Sequence, residues 1–275
     1  MQSTDDYYKS LIKAVRDTTF NNTIDSIRVE NFSPYDKELN WAERKIPILK
    51  LKKSFINWSK DTLLNLDSFP NMYVMNGNTE SLIALFNRTK NISWKQGDWN
   101  YYKHWHTLEN RPFNELTSPS SVEDMVVTWP GYRYGNKEEL DFALSCKAER
   151  LHLDCAYLSL TKPDSIDTSI FETVAVSFSK PFSVPYNRIG VLFSKNKIPN
   201  YDFLTDIGYV NLAGVHIVNT LMKHIPLSYW WDSYSEKYKT LCDKNNLTPT
   251  DCLLFAYDVN GNRIGTAPYW QEYLL

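Results

Sequence analysis

The sequence predicts an α/β fold built on a mostly parallel central sheet. Two observations carry this. Between about residues 70 and 195, short β-type runs alternate with helical patterns, an order that builds strand–helix–strand units. The runs themselves are short, continuous and apolar, as strands covered on both faces are.

The elements follow in order. Residues 5–17, "DDYYKSLIKAVRD", place Tyr7, Tyr8, Leu11, Ile12 and Val15 on one helical face. Residues 36–66 read as helical segments broken near Pro47, because proline removes a donor and crowds the preceding turn. "MYVMNGNTESLIALFNRT" (72–89) gives a short strand, a turn and a helix. "DMVVTWPGYRYGNKEELDFALSCKAE" (124–149) gives a strand, a loop and a helix, and "RLHLDCAYLSL" (150–160) begins as a strand. "TVAVSFS" (173–179) and "RIGVLFS" (188–194) are two further strands. Residues 209–225 and 228–246 are amphipathic helices. The aromatics of the second, "SYWWDSYSEKYK", suit either a subunit interface or packing on their own domain. "CLLFAYDVNGNRIGTAPYW" (252–270) reads as a hairpin around Asn260-Gly261.

A chain of 275 residues suffices for one large or two modest domains. Hydrophobic residues at 43% supply a core, and a net charge of -2 lacks the basic surplus of a general nucleic-acid binder. No apolar run reaches bilayer length, and the polar, acidic start resembles neither a signal nor a transit peptide. Cys146, Cys155, Cys242 and Cys252 form no CxxC pair, so reduced cysteines in a cytoplasmic protein are expected. His104-x-His106 lacks nearby further ligands, and no metal site is assigned.

The chemistry gathers at strand ends. Lys180 follows a buried-type strand, with Ser177 and Ser179 before it and Arg188 eight residues on. Hydroxyls and a guanidinium together make a phosphate receptor. Gly77-Asn78-Thr79 turns a strand into a helix whose first N–H groups suit an anion. The same residues are also a plain helix cap. Asp154 ends another apolar strand, with Tyr157 three residues later. A buried carboxylate there calls for a positive partner.

In that order these motifs resemble the fold-type I pyridoxal-phosphate enzymes of the aspartate aminotransferase superfamily. The likeness spans about residues 70–195, and the Ser-x-x-Lys to Arg spacing is its specific part. It implies a three-layer sandwich with a large cofactor domain at 61–205. A reduced small domain would come from a helical segment at 1–60 and a helical and hairpin portion at 206–275. It implies pyridoxal 5'-phosphate joined to Lys180 as a Schiff base, with Asp154 on the ring nitrogen and Tyr157 on the ring hydroxyl. Ser177, Ser179, Arg188 and the 77–79 turn would hold the phosphate. An aromatic from "QGDWNYYKHWH" would stack on the ring, Trp99 first and Tyr102 second.

Two departures from the family pattern stand out. The loop before the Asp154 strand puts Tyr132 and Arg133 where the family has Asn-Pro. Either Tyr132 replaces the asparagine contact, or the loop is rebuilt around substrate with Arg133 meeting its carboxylate. Only 95 residues follow Lys180, and Arg263 is the one arginine after Arg188. It is the candidate for a substrate carboxylate or else a surface hairpin residue. The implied activity is amino transfer between an amino acid and a 2-oxo acid, in a cytoplasmic homodimer with no nucleic-acid or membrane partner. A lyase or decarboxylase acting on an amino acid, or a non-catalytic binding protein of the same fold, are the alternatives.

Overall fold

The computed structural model describes residues 41–182 and 188–274. The helix expected over 5–17 lies outside them. Helix α1 (Trp41–Ser59) leads through β1 (Leu63–Leu64) to β2 (Asn71–Met75), α2 (Asn78–Phe86), β3 (Ile92–Lys95) and α3 (Tyr101–Leu108). Then come β4 (Phe113–Leu116), β5 (Ser121–Thr128), α4 (Glu138–Ser145), β6 (Lys147–Cys155), β7 (Ile166–Asp167), β8 (Thr173–Ser177) and β9 (Gly190–Ser194). The chain ends in α5 (Pro199–Asp206), α6 (Leu212–His224), α7 (Tyr229–Lys244), β10 (Thr248–Pro249), β11 (Phe255–Tyr257), β12 (Arg263–Gly265) and α8 (Ala267–Leu274).

Seven strands form the central sheet in the order β2-β9-β8-β6-β5-β3-β4. Strand β9 runs antiparallel to both neighbours, and the remaining pairs are parallel. The expected α/β fold is present. Alternation along β5 shows why its run is apolar throughout: Met125 and Val127 enter one core, Val126 the opposite one. A strand buried on both faces has no side left for polar residues.

Helices cover both faces. Leu82 and Phe86 of α2 and Tyr102 of α3 share a core with Val126, while Ala84 meets Tyr73, Ala175 and Leu192. On the other face Phe55 of α1, Leu140 of α4 and Val218 of α6 join Val74, Val176 and Phe193. Phe55 meets Phe178 edge-on at 5.5 Å and lies 5.7 Å from Phe193. Each such ring contributes about 1.5–3 kcal/mol by burial.

Two readings change, and two others are decided. Helix α1 continues through Pro47; tertiary packing of Ile48, Leu51 and Phe55 outweighs the missing donor, and the Pro47 carbonyl accepts from Asn219 Nδ2 at 3.3 Å. Strands β3 and β4 went unread, since "ISWK" and "FNEL" carry too few apolar residues to register. The expected terminal hairpin around Asn260-Gly261 is present; it turns through residues 258–262, with Asp258 Oδ1 accepting from the N–H groups of Asn260 and Asn262. Of the two alternatives for the α7 aromatics, Trp230, Tyr234 and Tyr238 take the second and pack into the chain's own core. His104 and His106 diverge, as residues two apart on a helix do; His104 is exposed, and His106 packs against Phe86 at 4.6 Å. Among the described residues no helix is long and apolar enough to cross a membrane.

Candidate active site

The register of the sheet brings distant motifs to one edge. Met75 at the end of β2 and Ser177 at the end of β8 both pair with Gly190 at the start of β9. The turns after β2 and β8, and the approach to β9, therefore meet. Gly77 has φ 83 and ψ 176, a conformation that essentially only glycine adopts. A Cβ there would lie 2.9 Å from Arg188 Nη2, and one on Gly190 would lie 3.0 Å from the Gly77 Cα. The two glycines let the backbones and the guanidinium close together. Arg188 Nη2 donates to Thr79 Oγ1 at 3.4 Å. The first N–H groups of α2 open onto the same spot, where helix geometry leaves them without intrahelical partners.

Asp154 lies on the next strand but one, wholly buried. It faces α2 and α3, because its strand neighbours Leu153 and Cys155 fill the opposite core. Its Oδ1 accepts from Asn78 Nδ2 and from the Ala156 N–H at 3.0 Å. Its Oδ2 accepts from the Tyr102 hydroxyl at 2.8 Å. Burial pushes its carboxyl up to about 6, against these donors and the charge of Lys180, which pull it down.

Lys180 stands between these two ends, partly buried. Its Nζ lies 3.9 Å from the centre of the Tyr157 ring, a cation–π contact. Burial lowers the ammonium to about 8; Asp154 opposes the fall, while Arg263 and Arg188 add to it. All three charged groups thus act on one amine.

Arg263 is not a surface hairpin residue. Its guanidinium carbon lies 3.8 Å from the Tyr132 ring centre and 4.2 Å from that of Phe255. Leu253 N–H donates to the Leu160 carbonyl at 3.0 Å, tying the terminal segment to the loop after β6. Tyr132 in turn stands 6.2 Å from Tyr157, ring to ring. The Arg133 guanidinium rests on Gly97, whose φ of 85 and missing side chain make the room. Trp99 is partly buried and stacks on Tyr101 at 4.9 Å. Tyr102 cannot serve as the stacking residue: it is wholly enclosed, ring against Phe86 and Trp94, hydroxyl on Asp154. Asn78, expected only as part of the anion turn, also holds Asp154 through its side chain.

Sequence reasoning missed Asp98 and Thr128. Asp98 Oδ1 lies 2.7 Å from Thr128 Oγ1, and Thr128 Oγ1 lies 2.8 Å from the Tyr102 hydroxyl. Thr128 pairs directly with Asp154 across β5 and β6. A polar residue closing the apolar run "DMVV" was the available signal.

The residues fit a phosphorylated aromatic aldehyde. Ser179 Oγ, Asn78 Oδ1 and Arg263 Nε are buried and have no protein partner among the described residues. Buried polar atoms are ordinarily paired, so three orphans around one amine mark places for ligand groups. A cationic and hydroxyl cradle at one end and a carboxylate at the other match a phosphate and a ring nitrogen.

No family model matches the sequence, and no curated protein matches it. Solved structures share the fold. An aminotransferase from Staphylococcus aureus superposes with a TM-score of 0.63 at 13% identity, covering 92% of this chain and 88% of its own. Histidinol-phosphate aminotransferase from Sinorhizobium meliloti, solved with pyridoxal-5'-phosphate, gives 0.59 at 14%, covering 87% and 71%. L-threonine-O-3-phosphate decarboxylase from Porphyromonas gingivalis gives 0.53 at 14%, covering 75% and 73%.

Proposed function

We propose that this chain is a pyridoxal-phosphate-dependent enzyme acting on the amine of an amino acid, with transfer of that amine to a 2-oxo acid as its reaction. The observation that carries the reading is one amine, Lys180, set between an anion cradle and a buried carboxylate held by three donors. When bound, pyridoxal phosphate supplies an aldehyde for amines and a ring that withdraws electrons from a substrate α-carbon.

The chain's own residues do the rest. Arg188, Thr79, Ser177, Ser179 and the start of α2 bind the phosphate. Asp154 presents a fixed negative charge to the ring nitrogen, oriented by Asn78, Ala156 and Tyr102. Lys180, its ammonium lowered to about 8, holds a reactive neutral fraction near neutrality. Its Nζ would hold the cofactor and, as a free amine, would carry a proton to or from the substrate α-carbon. Arg263, flat against Tyr132 and Phe255 with its Nε unpartnered among the described residues, receives a substrate carboxylate. Arg133 on Gly97 is the second carboxylate candidate.

The test is product analysis with single amino acids. Transamination forms at most one equivalent of 2-oxo acid per site until a 2-oxo acid acceptor is added, and then turns over. Release of ammonia or carbon dioxide without an acceptor would replace this reading with a lyase or decarboxylase, which the Porphyromonas gingivalis neighbour favours. Arg263→Ala should raise KM for amino acids far more than for their methyl esters. An equal rise for both would remove Arg263 from carboxylate binding.

A further inference from the structure

Three short oxygen–oxygen contacts run in series behind Asp154. Asp98 Oδ1 to Thr128 Oγ1 is 2.7 Å, Thr128 Oγ1 to the Tyr102 hydroxyl 2.8 Å, and that hydroxyl to Asp154 Oδ2 2.8 Å. All four residues are buried. Each contact has hydrogen-bond length, yet the two hydroxyls between them bring only two protons, since an ionised carboxylate donates none. If Tyr102 donates to Asp154 and Thr128 to Asp98, the middle contact sets two lone pairs against each other in a dry interior. A third proton removes the conflict, and only a carboxyl group at one end of the chain can carry it.

We propose that Asp98 and Asp154 share one proton through Thr128 and Tyr102, so that Asp98 is the neutral acid whenever Asp154 bears the negative charge. In that state every donor points the same way: Asp98 to Thr128, Thr128 to Tyr102, Tyr102 to Asp154. Moving the proton to the other end breaks the O–H bonds of Asp98, Thr128 and Tyr102. It makes new ones on Thr128, Tyr102 and Asp154, with no change in total charge. Asp98 is therefore a positioning residue that fixes the charge Asp154 presents.

The charges around the two ends select the direction. Lys180 acts on Asp154 and favours its anion. Asp98 faces Glu139 from α4, which with burial raises its carboxyl to about 7. Tyr102 from α3 feels both carboxylates, and its phenol is pushed well above the ordinary range. Arg133 rests on Gly97 beside Asp98, and Lys95 of β3 acts on Glu139. The Asp98 end also accepts from the Trp99 N–H at 2.7 Å and the Thr128 N–H at 3.3 Å. These hold the carboxyl in place in either protonation state.

The proton count stands on this chain alone; only its consequence for the ring nitrogen rests on the proposed cofactor. Infrared difference spectra of the cofactor-free protein test the count. The wild-type-minus-Asp98→Asn difference at pH 6 should contain a carboxylic-acid C=O band. Thr128→Val should lower the pH at which the nitrogen of bound 15N-labelled cofactor loses its proton. Thr128→Ser, which keeps the hydroxyl, should behave as wild type. Absence of the band from that difference would overturn the shared proton. A nitrogen titration unchanged in Thr128→Val would overturn the positioning role, even if the cofactor proposal stands.

Discussion

Replacing Gly77 with alanine tests the anion cradle at its tightest point. Gly77 sits at φ 83, ψ 176, where a side chain costs about 1–3 kcal/mol of backbone strain. The added Cβ would fall 2.9 Å from Arg188 Nη2 and 3.1 Å from its Cζ. The guanidinium is the end of a flexible side chain, so it will yield, and yielding takes it off Thr79. One charge-assisted hydrogen bond to a phosphate contributes about 1.5–3 kcal/mol. Cofactor affinity should therefore fall about 10- to 150-fold. The assay is a pair of equilibrium titrations followed by tryptophan fluorescence, with pyridoxal phosphate and with pyridoxal. Pyridoxal lacks the phosphate, so its affinity should change little. An equal loss for both ligands would mean that the turn acts through folding and not through the anion. No loss for either would refute the cradle.

Two further predictions concern ionisation. Lys180 should be labelled by an amine-selective reagent with a midpoint near pH 8, losing reactivity as pH falls through that value. Asp154→Asn should lower the midpoint further, because the carboxylate pulls the ammonium up; peptide mapping at a series of pH values reads both, and a midpoint in the ordinary lysine range would contradict burial as the cause. Away from the site, buried Asp124 accepts from Arg150 Nε at 2.6 Å and Nη2 at 2.7 Å, which with His152 hold its carboxyl down to about 2. Its pKa is depressed on folding, so this stabilisation is present above about pH 4 and lost as pH falls through about 2. Arg150→Ala should cost about 2–3 kcal/mol in urea at pH 7, below the value for a fully buried pair because Arg150 is 40% exposed. The deficit should shrink toward pH 2; a deficit independent of pH would show that lost packing is responsible.

The parts of the site that were legible in the sequence are those written locally. Gly77, Asp154, Lys180 and Arg188 each adjoin an apolar run, so their place at a strand end follows from pattern alone. Asp98, Thr128 and Tyr102 were not legible as a unit. Their meeting depends on β5 and β6 pairing with Thr128 opposite Asp154, and on α3 crossing that strand end. A one-residue slip would have turned Thr128 to the other face. Tyr102 looked like a stacking ring because its sequence neighbours are aromatic; its full burial and its hydroxyl on Asp154 decided otherwise. Arg263 was ambiguous for a related reason, since hairpin sequences specify their turn more firmly than where they dock.

The eight-residue step from Lys180 to Arg188 also carries a topological message. A strand parallel to its neighbour starts at the opposite sheet edge, so a parallel β9 would carry Arg188 away from Lys180. The interval between Ser177, which ends β8, and Gly190, which begins β9, holds twelve residues, including both Lys180 and Arg188. Keeping both side chains at the same sheet edge requires the chain to turn back at once, and β9 is antiparallel to β8 for that reason. The reversal places the first residue of β9, Gly190, between the last residues of β2 and β8. Gly190 must then be small, since a Cβ would fall 2.7 Å from the Val176 carbonyl. Arg188 arrives two residues earlier at φ 34, in the left-handed region that non-glycine residues seldom occupy. The strain falls on the residue whose guanidinium closes over Gly77, where an observed outlier motivates a functional reading. One antiparallel strand in a parallel sheet thus brings the lysine, the arginine and the glycine turn to a single sheet edge.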